Sequence, residues 1–214
     1  MNIVLLGRPG SGKGTQAELL SKKLKIPHVS TGEIFRENIQ NKTELGIESQ
    51  KYVDSGSLVP DEILVGMVKE RMARKDLENG YILEGAPRTL NQGKVFQSMF
   101  LEINRKIEKV VYIHLDRDLM VKRISGRWTC KANDHSYHEV YKPTKVPGVC
   151  DIDGSPLYQR EDQKPEAIEL RIKKYENETE PLVGYYKKIG ILLEINGDQT
   201  IESVQKEIIQ KLAY

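Results

Sequence analysis

Lys13 sits in the run Gly7-Arg8-Pro9-Gly10-Ser11-Gly12-Lys13-Gly14-Thr15, a set of residue types suited to holding phosphate. Glycines let successive backbone N–H groups curl around an anion, and a helix starting behind them adds the positive end of its dipole. Gly10, Ser11, Gly12 and Gly14 would form the cradle, Lys13 would reach the outer phosphates of a nucleotide, and Thr15 would supply a hydroxyl. The bland alternative is a tight turn, but a turn needs one or two glycines and no lysine among them. The common form of such a loop puts the hydroxyl directly after the lysine. Here Gly14 intervenes.

The flanking residues have the patterns needed to position that loop. Residues 2–6 are an apolar run of the kind a buried parallel strand requires, and helix formers follow from Gln16. Further strand candidates lie at 27–30, 80–84, 109–115 and 191–195, with helical stretches between them. This alternation predicts an α/β fold with a parallel five-stranded sheet and crossover helices. The stretch 32–79 reads as mostly helical. Ser30-Thr31-Gly32-Glu33 suggests a capping box, Pro60 with Asp61 and Glu62 another helix start, and Thr89 a third. A long amphipathic helix over 164–186 and a terminal one over 200–212 close the chain.

Residues 126–162 break the alternation. They carry both cysteines, Cys130 and Cys150, together with His135, His138 and the only tryptophan. The short β-like pieces there read as an inserted subdomain too small for a large core. An insertion beside a phosphate site is where a moving lid would be placed. No apolar run approaches the ~20 residues of a membrane span. No leader pattern precedes the first strand, so the cytoplasm is the expected compartment. A net charge of +2 gives no case for a nucleic-acid surface. Small-molecule nucleotides are the expected partners, and a monomer the expected state.

Six motifs, in order, resemble the adenylate kinase family in its long-lid form, within the nucleoside monophosphate kinases. They are the loop with Gly14-Thr15 after the lysine, Ser30-Thr31-Gly32-Glu33 through Arg36, and Gly56-Ser57-Leu58-Val59-Pro60-Asp61. Gly85-Ala86-Pro87-Arg88-Thr89 with Gln92, Arg123-Ile124-Ser125-Gly126-Arg127, and Tyr158-Gln159-Arg160-Glu161-Asp162 complete the series, with Arg171 beyond. The resemblance implies a three-layer phosphate-loop fold with a core at 1–29, 60–125 and 164–214. It further implies a helical monophosphate-binding subdomain at 30–59 and a β-rich lid at 126–163. The implied reaction is the reversible, Mg²⁺-dependent conversion of ATP and AMP to two ADP.

By the same resemblance, Arg36 and Arg88 would hold the AMP phosphate, where a bidentate guanidinium is better suited than a point charge. Arg123, Arg127, Arg160 and Arg171 would close over the transferring group, with Asp162 fixing the arginines. Thr31, Ser57, Leu58, Val59, Gly85, Ala86, Pro87 and Gln92 would line the AMP pocket. Arg123, Arg127, the Ser136-Tyr137 turn and Gln199 would lie against ATP, Gln199 where a lysine is usual. Thr15 and Glu84 would order the magnesium shell, Glu84 replacing an aspartate. Ala86 replaces an aromatic residue, which leaves the acceptor pocket roomier, and Gln163 replaces a second aspartate at the lid exit.

Lid segments of this family hold either structural zinc or a hydrogen-bonded polar quartet. Cys130, Cys150 and Asp153 are competent ligands, Asn133 is a poor fourth, and His135 or His138 could substitute. Both alternatives stay open at this level, whereas a Cys130–Cys150 disulfide does not suit a reducing compartment. His138 reads as a packing or hydrogen-bonding residue. The competing functions are a kinase of different or broader base preference, such as one using GTP with AMP, and a nucleotide-binding switch without turnover.

Overall fold

The computed structural model describes residues 1–54, 59–133, 135–160, 163 and 165–213. Of the residues named above, Gly56, Ser57, Leu58, Glu161 and Asp162 lie outside that set. Five parallel strands, β1 (Asn2–Gly7), β2 (His28–Ser30), β3 (Tyr81–Glu84), β4 (Lys109–His114) and β8 (Leu192–Asn196), form one sheet in the order β2-β3-β1-β4-β8. Helices cover both faces, which is why β1 is apolar throughout rather than alternating with polar residues. Ile3 and Leu5 join Ile82, Val111 and Ile195 beneath α1 (Lys13–Leu24) and α9 (Ile201–Leu212). Val4 and Leu6 point the other way, to Leu83, Val110 and Phe96 under α4 (Asp61–Met72), α5 (Leu90–Glu102) and α8 (Pro181–Lys188).

The loops at the C-terminal ends of β1 and β3 therefore rise from a sheet whose register is set by burial on both faces. Gly7 pairs with Ile113, and Leu5 with Glu84. α2 (Thr31–Gln40) and α3 (Glu44–Asp54) follow β2, and α6 (Arg117–Ser125) follows β4. A second sheet of antiparallel strands β5 (Arg127–Cys130), β6 (Ser136–His138) and β7 (Leu157–Tyr158) has the order β6-β5-β7. Its core is Cys130, Tyr137 and Cys150, with Trp128 and Leu157 packed alongside. No described helix is long and apolar enough to cross a membrane.

Three local expectations are corrected. Ser30 stands at the N-cap of α2 in extended backbone and ends β2 opposite Glu84, but its side chain makes no capping bond. Ser136 and Tyr137 lie in β6, paired with Thr129 and Trp128, rather than in a turn. The helix expected over 164–186 is not one regular helix. α7 (Pro165–Lys174) passes into a π-helical turn, Tyr175–Thr179, before α8 begins at Pro181. Proline has no N–H and its ring crowds the carbonyl four residues back, so the helix widens ahead of it. By contrast Thr89 caps α5 as expected, accepting from the Gln92 N–H at 3.1 Å.

Candidate active site

The loop between β1 and α1 is built on glycines in backbone regions that side chains avoid. Gly10 has φ 76° and Gly12 has φ 90°, the latter at the N-cap of α1. A side chain at Gly10 would also press on Ile124 and on the Met120 carbonyl, so the loop packs directly against α6. Lys13 curls back over the loop and donates to the Gly7 and Arg8 carbonyls at 2.8 and 2.9 Å. Gly14 and Thr15 occupy the first turn of α1. The Ser11 hydroxyl is buried with no partner among the described residues. A buried hydroxyl of that kind, beside open backbone N–H groups at a helix N-terminus, suits an anion.

Burial lowers the Lys13 ammonium from its ordinary value to about 8; Glu84 opposes the shift, and Arg88, Arg171 and Arg127 add to it. These groups come from four places: the loop after β3, the start of β5, the last turn of α7 and the end of β3. The fold thus brings them around Lys13 from positions up to 158 residues apart by numbering (171 − 13). Arg127 also donates through Nε to the Ser136 hydroxyl at 3.0 Å, across the β5–β6 pair.

On the β3 side, Gly85 has φ 95°, and a Cβ there would collide with the Thr31 hydroxyl. The β3 loop and the start of α2 are therefore in direct contact. Ala86 and the Pro87 that follows it are buried, so Ala86 belongs to the hydrophobic core. Arg88 is exposed, with Nε donating to the Gly85 carbonyl at 2.6 Å. Its backbone N–H donates to the Gln92 Oε1 at 2.7 Å, and the Gln92 amide nitrogen donates to Asp61 at 2.7 Å. Both ends of the Gln92 amide are thus engaged, which orients it. Arg36 projects from α2 beside Gly32, its Nη1 3.5 Å from where a glycine Cβ would stand. Val59 packs against the main core cluster.

Arg123, in the last turn of α6, holds its guanidinium 5.0 Å from the centroid of the Tyr141 ring. His138 packs against that ring with centroids 4.6 Å apart and planes tilted by 55°, and its Nδ1 accepts the N–H groups of Val140 and Tyr141. His138 is thus a turn-forming residue. Arg160 is exposed, and its backbone N–H donates to Gln163 Oε1 at 3.1 Å, so Gln163 organises that turn. Gln199 is held by the Asn196 carbonyl at 3.0 Å and Glu207 at 2.7 Å, beside a loop tied to α1 through Gln16 and the Ile201 carbonyl.

The second sheet gathers Cys130, His135, Cys150 and Asp153, whose ligand atoms all lie within 4.8 Å of one another. Asn133 is not part of that set but donates to Asp153 at 2.8 Å. This bond, with one from the Ser155 N–H, holds the Asp153 carboxyl well below its usual range. Burial works against ionising Cys150, but bonds from the Tyr137 hydroxyl, two backbone N–H groups and His135 outweigh it and lower the thiol. Both cysteines are free thiols.

Sequence reasoning missed Asp61 as the anchor of Gln92, Tyr141 as the platform for Arg123, and Thr179, whose hydroxyl donates to the Arg88 carbonyl at 2.7 Å. Asp61 read only as a helix start, and Tyr141 carried no signal. For Thr179 the signal was present in Pro181, which makes a regular helix impossible there.

A glycine loop at a helix N-terminus, a lysine over it and guanidinium groups arriving from other elements define a phosphate-loop nucleotide phosphotransferase. Residues 5–191 match the family model described as adenylate kinase. Adenylate kinase of Listeria innocua is 45% identical over 100% of this chain and 99% of its own length. That of Methanothrix thermoacetophila is 47% identical with the same coverage, and that of Caldicellulosiruptor bescii 45% over 99% of each. The chain belongs to the adenylate kinase family.

Proposed function

We propose that this chain catalyses the reversible transfer of a phosphoryl group from ATP to AMP, giving two ADP. The observation that carries the reading is the glycine loop at the start of α1, with Gly10 and Gly12 in the left-handed region and Lys13 folded over it, where the charges of Arg88, Arg127, Arg171 and Glu84 are felt. Phosphoryl transfer requires alignment of two anions and neutralisation of charge on the transferring group, without a covalent protein intermediate. A switch that only holds one nucleotide has no use for cations arriving from the β3 loop, β5 and α7.

In this reading the loop amides and Lys13 hold the donor phosphates, while Arg36 and Arg88 hold the acceptor phosphate. Arg123, Arg127, Arg160 and Arg171 close over the group in flight, with 126–163 as lid and 30–59 as the acceptor subdomain. Thr31, Gly85 and Gln92 face the acceptor base; Gln199 and Arg123 lie on the donor-base side. A site whose polar groups are already oriented discriminates by leaving them unpaired with the wrong base. Thr15 and Glu84 are the groups placed to order the water shell of a Mg²⁺ ion carried by the nucleotide, which supplies neutralising charge to the phosphates. One chain furnishes both sides of the cleft, so the site is complete in a monomer, and we place the reaction in the cytoplasm with its free nucleotides.

We assign the lid cluster to a structural metal, with His135 filling the corner that Asn133 cannot. Two thiols, an imidazole and a carboxylate within mutual reach are a donor set that suits zinc. Asn133 then acts from outside, fixing Asp153. Metal content of the purified protein tests this, with one equivalent of zinc expected and none contradicting it. For the reaction itself, a coupled assay with ATP and AMP is run beside GTP as donor and GMP, CMP and UMP as acceptors. ADP formation dependent on AMP is expected, and turnover with no pair would refute the activity.

A further inference from the structure

We propose that Thr179 is a positioning residue for Arg88, holding from behind the peptide that aims its guanidinium into the acceptor site. This rests on the assignment of Arg88 to the acceptor phosphate. In a regular helix a buried threonine hydroxyl usually bonds a carbonyl three or four residues back in its own helix. Thr179 does otherwise. Its hydroxyl leaves the helix and donates to the carbonyl of Arg88 at 2.7 Å, 91 positions away in sequence.

The π-helical turn Tyr175–Thr179 is what makes this contact available. Pro181 follows it, and the backbone accommodates the proline with a bond from Glu180 N–H to the Tyr175 carbonyl at 2.9 Å, five residues back. The added residue in that turn goes with an inward-facing Thr179, which is 9% exposed. Arg88 is then gripped on both sides of its backbone. Gln92 accepts its N–H at 2.7 Å and Thr179 caps its carbonyl at 2.7 Å, while the side chain is exposed with Nε on the Gly85 carbonyl. Anchoring the backbone on both sides leaves only side-chain rotamers to be ordered when an anion binds, which lowers the entropic cost of that step.

The same turn also reaches the donor side. Glu180 lies 3.4 Å and Glu176 4.0 Å from Arg8 Nη2, and the Arg8 carbonyl receives Lys13 at 2.9 Å. One helical segment thus touches both phosphate-holding loops. The side chain that touches the acceptor loop is Thr179, so its removal should act on AMP and spare ATP.

The test compares Thr179→Val, Thr179→Ala and Thr179→Ser with the parent chain. It measures AMP binding by calorimetry, KM for AMP and ATP, kcat, and the thermal midpoint. In either folded variant lacking the hydroxyl, AMP affinity and kcat/KM for AMP should fall about tenfold, the scale of one lost hydrogen bond that leaves a carbonyl unpaired. The KM for ATP should stay within about twofold, and Thr179→Ser should restore AMP binding to within about twofold, since it keeps the donor. Parental AMP affinity in the Val or Ala variant overturns the proposal. So does an equal loss for both nucleotides, or a Ser variant as weak as Val. A parent chain that binds AMP without turnover contradicts the catalytic reading instead, and the calorimetric series still decides the role of Thr179.

Discussion

The phosphate loop and the segment around the second sheet, which we propose to be the lid, are held in place by different means. The loop rises from β1, whose residues from Ile3 to Leu6 are at most 3% exposed and packed on both faces. Its geometry is a by-product of the largest hydrophobic clusters in the chain. The lid has a core of Cys130, Tyr137 and Cys150 with two partial neighbours, too little apolar surface to order its strands firmly. There the polar cluster of Cys130, His135, Cys150 and Asp153 stands in for a core. In the proposed function the donor needs rigidity beneath it and mobility above it, and the two kinds of support would supply one each.

Substitutions can break this contrast in order of expected effect. Lys13→Met should cut turnover by about 10³-fold, as loss of a preorganised charge at the transferring group does, while the thermal midpoint stays near the parent value. A matching collapse in stability would show that the loop is not carried by the sheet. Arg88→Ala should cost about 10²-fold in kcat/KM, expressed chiefly at limiting AMP. An unchanged rate at low AMP would remove Arg88 from the acceptor site.

Lid substitutions should behave in the opposite way. Cys150→Ser should lose the metal and lower the thermal midpoint by several degrees, because binding energy at such a site is also folding energy. ATP affinity should fall only a few-fold, since the loop is built elsewhere; a parental midpoint in the metal-free variant would contradict the assigned support. A smaller effect comes from pH. Burial lowers the Lys13 ammonium to about 8, and a bound phosphate favours its protonated form. Nucleotide affinity should therefore be level below pH 8, weaken above it, and be accompanied by proton uptake near pH 8.5, read as a buffer-dependent calorimetric enthalpy. Affinity that is flat to pH 9.5 would show that Lys13 does not reach the phosphates. The smallest change in turnover is expected from Asn133→Ala, which should weaken metal affinity about tenfold, the scale of losing a residue that orients a ligand.

The same contrast explains what was legible in the sequence. Strand cores are apolar runs and phosphate loops are glycine patterns, so all five strands of the large sheet and the loop at Lys13 could be read from residues alone. Features that depend on one contact in space could not. Ser30 has the right type for a cap but its hydroxyl makes no capping bond, and Ser136 looks like a turn residue but pairs with Thr129. His135 could be named only as one of two substitutes, because two residues of spacing past Asn133 do not say which side chain folds inward. The π-helical turn was hidden for a different reason. Its apolar periodicity continues on either side, and only Pro181 marks the place where the pattern must slip by one residue.

The central claim is that two nucleotides bind at once, end to end, under one set of cations. Calorimetry with diadenosine pentaphosphate tests it directly, because that molecule carries both adenines and spans the two phosphate positions. The account predicts one molecule per chain, affinity well beyond that of ATP or AMP alone, and displacement of both. Two molecules per chain, or competition with ATP but not AMP, would contradict it.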